Sequence, residues 1–257
     1  MEFHNRWAKS VTVESLLVKE SFESPAAFEN RYALEEFGPL AGKKILDLGC
    51  GAGESSVYFA LRGADVYGYD IAEEFLKIAR LLAQKHGVEP KFTHGDANKL
   101  PYEDGYFDLV YGNGVLHHVN LSSTIKEIRR VLKGGGKAVF VEPLYYNPLI
   151  NIYRCIANEV RTKDERPLRF KDMRQFMNTF SHFHHREFWF FSLLIFIHFF
   201  LIRRWHPSKI RYWKKVIEEG YNYDRYVMAL QRLDNTILNL FPFLRFLCWN
   251  TVLVAIK

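Results

Sequence analysis

An acid and a cluster of glycines near the start of the chain carry its clearest chemistry. Residues 43–70 read KKILDLGCGAGESSVYFALRGADVYGYD: an apolar run, a glycine-rich turn, a helical segment and a second apolar run. The second run ends on a carboxylate, Asp70. This order predicts a strand, a turn, a helix and a second strand that ends in an acid. The arrangement is typical of sites for adenosine-type cofactors, where backbone N–H groups lie close to the ligand and the acid binds ribose hydroxyls.

The spacing of the turn selects among such cofactors. It reads Asp47-x-Gly49-x-Gly51-x-Gly53, which differs from the G-x-G-x-x-G pattern that accommodates a pyrophosphate. A carboxylate at Asp47, inside the end of the first strand, would repel a pyrophosphate and attract an ammonium group. The sequence therefore favours a nucleoside that carries an amino-acid head and no phosphate.

These residues resemble the class I S-adenosylmethionine-dependent methyltransferases, especially their small-molecule and lipid branch. The resemblance covers residues 40–145 firmly and the closing strand loosely. It implies that the glycine turn lies against the methionyl part of S-adenosylmethionine, that Asp47 faces its ammonium and that Asp70 holds its ribose. The implied cofactor contacts are Asp47, Gly49, Cys50, Gly51, Gly53, Asp70, Ile71, Asp96 and Ala97 (adenine), and Asn113 and Gly114 (methionine end).

Candidate catalytic residues follow the fourth and fifth predicted strands. Methyl transfer is an in-line displacement that depends mostly on alignment, and a general base helps when the acceptor is a hydroxyl. His117 and His118 are candidates because histidine titrates near neutral pH, and Glu142 is another. The histidines either take a proton or only brace the pocket, and both interpretations stay open. His182, His184 and His185 have no carboxylate or cysteine cluster beside them, so we expect no metal site.

Short apolar strands alternate with helices from residue 43 onward, which predicts a parallel sheet with right-handed crossovers. The predicted fold class is α/β, a seven-stranded, mostly parallel Rossmann-like sheet with an antiparallel last strand, plus helical inserts that form a lid. The resemblance implies the antiparallel edge. The predicted strands are 44–48, 65–69, 91–93, 107–111, 137–141, 184–194 and 248–257, and the predicted core helices are 53–62, 73–86, 116–119 and 122–132.

Three regions make up the predicted domain organisation. Residues 1–40 form two helical segments that cover the cofactor site, the second starting with Ser24 as N-cap and Pro25 at its first position. Residues 41–145 form the cofactor-binding core. Residues 146–257 complete the fold, with largely helical inserts at about 144–181 and 195–247, including helices at 148–160 and 171–180, and the closing strand 248–257.

Charge and aromatic residues separate the two halves of the chain. Residues 1–140 have a net charge of −2 and residues 141–257 of +8. Residues 183–205 are a block of Phe, Trp and aliphatic residues with arginines near its ends, which favours an anionic membrane surface or a lipophilic ligand over nucleic acid. Phe188–Ile202 is shorter than the roughly 20 residues of a spanning helix, and three interpretations stay open: a membrane span, a buried strand and helix, or a membrane-leaning lid.

The predicted function is methyl transfer to a small, lipophilic or membrane-derived acceptor such as a quinone, a phospholipid headgroup or an undecaprenyl-linked sugar. The alternatives are a methyltransferase acting on RNA or DNA, a non-catalytic cofactor-binding protein and a nicotinamide-dependent oxidoreductase. Cys50, Cys155 and Cys248 form no spaced pair, and the first residues lack a secretory pattern. We therefore expect free thiols and a cytoplasmic protein with peripheral contact at the inner membrane face.

Overall fold

The computed structural model describes residues 11–156 and 166–257. Within these residues, seven strands form one sheet in the order β3-β2-β1-β4-β5-β7-β6. Strands β1 to β5 pair in parallel, and β7 runs antiparallel to both β5 and β6. The predicted fold class is thus confirmed. The strands are β1 (Lys44–Leu48), β2 (Asp65–Asp70), β3 (Lys91–His94), β4 (Phe107–Asn113), β5 (Leu132–Pro143), β6 (His182–Phe188) and β7 (Asn250–Ile256).

Helices cover both faces of the sheet, which is why the central strands are largely buried and mostly apolar. In β1, Ile45 faces one core with Val57 and Phe59, while Leu46 faces the other with Ile125. The α-helices of the described residues are α1 (Glu20–Glu23), α2 (Phe28–Phe37), α3 (Glu54–Leu61), α4 (Glu73–His86), α5 (Leu121–Val131), α6 (Pro148–Ile156), α7 (Arg174–Thr179), α8 (Leu194–Leu201), α9 (Tyr212–Glu218) and α10 (Asp224–Leu240). Short 3-10 turns occur at Val13–Ser15, Leu116–His118, Phe191–Leu193 and Pro242–Leu247.

Most predicted core elements agree with the structure within two residues, and the strand that became β5 is the exception. The strand expected at 137–141 extends over Leu132–Pro143. The helix expected at 148–160 is seen from Pro148 to Ile156, and the rest of that prediction lies outside the described residues, as do residues 1–10.

The predicted start of the second N-terminal helix was wrong. Ser24 closes α1, because its N–H donates to the Glu20 carbonyl at 3.1 Å. A turn then brings the Ala27 N–H to the Ser24 carbonyl at 2.9 Å, and α2 begins only at Phe28. The Ser-Pro pair therefore marks the turn between two helices rather than the first turn of one.

The strand predicted at 184–194 ends early, at Phe188, because the chain turns there. Trp189 has a left-handed backbone (φ 68°), which is rare for a bulky side chain. The Asp234 carboxylate of α10 stabilises this turn by accepting the N–H groups of Phe190, Phe191 and Ser192 at 3.1, 2.6 and 3.2 Å. Burial raises the pKa of Asp234. Residues 188–202 thus contain the end of β6, this turn and α8. Among the described helices, none is long and apolar enough to cross a bilayer.

Replacing Asp234 tests this anchoring of the insert. Asp234→Ala leaves three backbone N–H groups in a buried turn without their acceptor, so the free energy of unfolding should fall by about 2–4 kcal/mol. Urea denaturation followed by circular dichroism measures the change. The control is Asp224→Ala, at the exposed start of the same helix, which should cost about 1 kcal/mol or less. Equal costs at both positions would contradict the anchoring role.

Candidate functional site: a nucleoside crevice beside an acceptor cavity

The glycine turn after β1 is tied to the end of β2. The N–H groups of Gly49 and Cys50 donate to the Tyr69 carbonyl at 2.7 and 3.2 Å. The Gly51 N–H donates to Asp70 Oδ2 at 2.8 Å. Because β1 and β2 are parallel neighbours, these bonds hold the turn and the carboxylate together at one edge of the sheet. The predicted strand, turn and acid therefore form one continuous crevice wall.

The three glycines of the turn are needed for different reasons. A Cβ at Gly49 would lie 2.6 Å from Val115 Cγ2, and one at Gly53 would lie 2.7 Å from Ala79 Cβ. Both positions are thus required by packing inside the protein. Gly51 has a positive φ of 51° but open space around its would-be Cβ. This open cradle, beside the Asp70 carboxylate, fits the close approach of a ligand to the backbone.

The ribose and adenine candidates lie along the same edge. Asp70 Oδ1 accepts the Ala72 N–H at 2.8 Å, so each carboxylate oxygen has a backbone donor. A carboxylate offers about four lone-pair sites, so this bonding is compatible with ribose hydroxyls on the same group. Ile71 is 45% exposed beside it.

The Asp96–Ala97 pair follows β3, the strand next to β2. Asp96 is exposed and Ala97 is buried. Asp96 Oδ1 accepts the backbone N–H of Asn98 at 2.9 Å, which fixes the direction of the carboxylate. The structure thus brings the adenine candidates to the sheet edge where Asp70 lies.

Asp47 is buried under the glycine turn. Its Oδ2 accepts the Ser56 hydroxyl at 2.6 Å. Burial, with a smaller contribution from the charge of Asp70, raises the pKa of Asp47 to about 7. A cation close to this carboxylate would favour its ionised form. The residue is therefore suited to an ammonium group, as its position in the sequence suggests.

A histidine–glutamate pair lies where β4 and β5 end. His117 Nδ1 is 2.7 Å from Glu142 Oε2, and both side chains are almost fully buried. Glu142 Oε1 accepts the N–H groups of Val115 and Leu116 at 2.9 and 2.7 Å. Both oxygens of Glu142 are thus engaged with the protein. Glu142 orients His117, and the imidazole is the group of this pair that can address a ligand. His118 is exposed, with its ring 4.0 Å from that of His117.

A cavity of about 380 Å³ opens beside this pair. The predicted residues Asn113, Gly114, His117, His118 and Glu142 line it, whereas Asp47, Asp70 and Asp96 do not. The cavity therefore includes the predicted methionine end of the nucleoside crevice, at Asn113 and Gly114, and does not extend to these three acids. Its walls also come from α2, α6, α9 and the start of β7. Both predicted inserts contribute to these walls, through α6 and α9.

Several cavity residues escaped the sequence analysis. Asn30 of α2 accepts the Tyr111 hydroxyl at 2.7 Å and lies 3.3 Å from the Asn113 amide nitrogen. Glu29, next to it, accepts the Asn250 amide at 2.5 Å, and burial raises the pKa of Glu29. The helix also contains Arg31, Glu35 and Glu36, so no sequence signal distinguished these two residues. Trp189 and Arg211 gave none.

Metal binding finds no support in the described part of the chain, where no group of three or more potential ligands comes together. His184 lies 3.1 Å from Glu36, and His185 lies 2.5 Å from Glu187, so these histidines pair with separate acids.

Comparisons with known proteins fit this geometry. Residues 46–140 match a family described as a methyltransferase domain. Over 128 residues the chain is 38% identical to the ubiquinone biosynthesis O-methyltransferase of Pseudomonas aeruginosa, a region that is 49% of this chain and 55% of that protein. The comparisons thus identify residues 46–140 as a class I S-adenosylmethionine-dependent methyltransferase domain. The resemblance seen in the sequence is thus confirmed, and S-adenosylmethionine is the cofactor of the family.

Other relatives define how far the similarity extends. A sterol 24-C-methyltransferase of Gibberella zeae is 36% identical over 134 residues, 51% of this chain and 35% of that protein. The chain thus spans about half the length of the ubiquinone relatives and about a third of the sterol relative. The YcgJ protein of Bacillus subtilis shares the fold over 90% of this chain and 98% of its own, with a TM-score of 0.57 and 20% identity. A methyltransferase-like protein of Bacillus halodurans shares the fold over 88% of this chain and 96% of its own, with a TM-score of 0.54 and 18% identity.

Asp70 is the first test of the crevice. Asp70→Ala should weaken binding of S-adenosylhomocysteine by about 1.5–3 kcal/mol, because charge-assisted hydrogen bonds to the ribose are lost. Isothermal titration calorimetry measures the dissociation constant. Asp65→Ala, at the opposite end of the same strand, is the matched control and should bind normally. An unchanged constant for Asp70→Ala would contradict the ribose assignment.

Asp47 gives cofactor binding a pH dependence of known sign. With a pKa near 7, Asp47 is mostly protonated at pH 6 and mostly ionised at pH 8. Only the ionised carboxylate attracts an ammonium group, so S-adenosylhomocysteine should bind about tenfold more weakly at pH 6 than at pH 8. Asp47→Asn should weaken binding at pH 8 and flatten this profile. Ser56→Ala should move the midpoint upward, because the Ser56 hydrogen bond lowers the pKa of Asp47. If the affinity of the wild type for S-adenosylhomocysteine did not change between pH 6 and 8, Asp47 would not be the group that faces the ammonium.

Proposed function

We propose that this protein transfers a methyl group from S-adenosylmethionine to a hydroxyl of a small lipophilic molecule, with His117 as the general base. The single observation that carries this proposal is the buried His117–Glu142 pair facing the cavity where β4 ends. When bound, the cofactor would supply a methyl group on a sulfonium, whose leaving group is a neutral thioether. The Gly51 cradle and the Asp47 and Asp70 carboxylates are the residues that would hold it.

The protein's own residues account for the rest of the chemistry. Glu142 fixes the His117 ring through Nδ1, which leaves Nε2 to accept the proton of an acceptor hydroxyl. In the described residues, Nε2 makes no hydrogen bond that would compete with this task. The negative charge of Glu142 stabilises the imidazolium that forms. The cavity walls hold the acceptor oxygen in line with the methyl group, and alignment of this kind supplies most of the rate.

The lipophilic character of the acceptor is supported by the cavity walls. Trp189, Trp213, Trp249 and Tyr153 form an aromatic part of the lining. Many of the other lining residues are polar, such as Glu29, Asn30 and Arg154. Aromatic side chains beside positioned polar groups suit a lipophilic molecule that carries a polar group. Two relatives are named for methylation in ubiquinone biosynthesis and of a sterol, and both names refer to lipophilic molecules. A non-catalytic cofactor-binding protein has no use for the buried pair. We place the protein in the cytoplasm, in peripheral contact with a membrane.

His117 tests this function directly. His117→Gln removes the proton acceptor, so kcat for transfer of labelled methyl from S-adenosylmethionine into a membrane lipid extract should fall about 10²- to 10⁴-fold. Binding of S-adenosylhomocysteine should stay normal, because His117 lines the cavity rather than the nucleoside crevice. Glu142→Gln should also lower kcat.

The matched control is His118→Gln, which changes the neighbouring exposed ring and should lower kcat far less. Equal activity of His117→Gln and the wild type would contradict the general-base role. Absence of transfer into any lipid extract by wild-type protein that binds the cofactor would contradict the lipophilic acceptor.

A further inference from the structure

The outer face of α8 is apolar although it faces solvent. Four of its residues, 37% to 61% exposed, lie on one side of the helix: Leu194, Ile197, Phe200 and Leu201. Ile202, which follows the helix, is 70% exposed. The opposite side is buried, and there Phe196 and Phe199 pack on Tyr212 of α9 with ring centroids 5.3 and 5.6 Å apart. A contiguous exposed apolar face of this kind marks a site of interaction.

The chain around this face is positively charged. Residues 188–217 contain six Lys or Arg and no Asp or Glu. Arg203, Arg204 and Lys209 follow α8 directly and are exposed. Arg203 lies over the Trp205 ring at 4.8 Å and reaches Glu219 of the next helix at 3.4 Å. Cations thus border the exposed end of the apolar face, whereas Glu187 and Asp234 are buried at its other end.

We infer that this face docks on the headgroup region of an anionic membrane leaflet. The docking surface consists of Leu194, Ile197, Phe200, Leu201, Ile202, Arg203, Arg204 and Lys209. Aliphatic and aromatic side chains enter the boundary between headgroups and acyl chains, and bordering cations bind lipid phosphates. A second copy of the chain fits less well, because a two-fold interface would bring the same cations against each other.

One helix separates the docking surface from the cavity. Helix α9 packs on the buried side of α8 through Tyr212, and its residues Trp213 and Val216 line the cavity. Resting on the proposed function, docking through α8 would bring the cavity close to the leaflet that holds a lipophilic acceptor. The docking itself does not depend on methyl transfer, so the two can be tested separately.

Vesicle sedimentation of the full-length protein tests the docking. We expect binding to vesicles of phosphatidylglycerol and phosphatidylcholine in equal parts, and much weaker binding to phosphatidylcholine alone or at high salt. Leu201→Gln with Ile202→Gln, and separately Arg203→Gln with Arg204→Gln, should each weaken binding about tenfold or more. The matched controls are Leu81→Gln, on the exposed side of α4, and Lys126→Gln with Arg129→Gln on α5, which should bind as the wild type does.

Each outcome decides the proposal. All variants should retain normal affinity for S-adenosylhomocysteine, which shows that they are folded. The inference is overturned if the wild-type protein does not bind anionic vesicles. It is also overturned if the docking variants bind as strongly as the controls. Dimers in light scattering that dissociate in Leu201→Gln with Ile202→Gln would assign the face to a second copy instead. If the protein does not bind vesicles but still shows His117-dependent methyl transfer, only the docking proposal is wrong. If it binds vesicles but shows no such transfer, only the proposed function is wrong.

Discussion

Acidic side chains concentrated at one edge of a parallel sheet are the constraint on which the site depends. Asp47, Asp70 and Glu142 end or nearly end β1, β2 and β5, and Asp96 follows β3. Because parallel strands end at the same edge, these carboxylates are brought together and repel one another. Backbone N–H groups stabilise three of them, whereas Asp47 has the Ser56 hydroxyl and a pKa near 7. Such an edge favours a ligand with positive charge and no phosphate.

Two parts of the site lie at this edge, one for the cofactor and one for the acceptor. The crevice over Gly51 has backbone and carboxylate groups, and aromatic side chains line part of the cavity beside His117. The two parts meet at Asn113 and Gly114, where β4 ends. Glu142 contacts both His117 and the backbone that follows β4. It orients the His117 ring and accepts the N–H groups of residues 115 and 116. The position of the base and the path of the chain after β4 therefore depend on one buried side chain.

Local patterns account for what could be predicted from the sequence. The glycine turn, the acid at Asp70 and the core strands are each specified by a few neighbouring residues, so they were predicted closely, except that β5 starts five residues before the predicted strand. The rest depends on contacts between distant parts of the chain. Asn30 reaches the site through Tyr111, 81 positions away, and Asp234 fixes a turn more than 40 positions before it. No short pattern encodes such pairs. The Ser24-Pro25 error is of the local kind, since a residue that can begin one helix can also end another.

A crystal structure of the protein with S-adenosylhomocysteine tests the central claim most directly. The account predicts the ribose on Asp70, the amino-acid head over Gly51 towards Asp47, and the sulfur directed into the cavity beside Asn113 and His117. A ligand whose sulfur points away from that cavity, or a crevice that accepts a pyrophosphate-bearing nucleotide in preference, would contradict it.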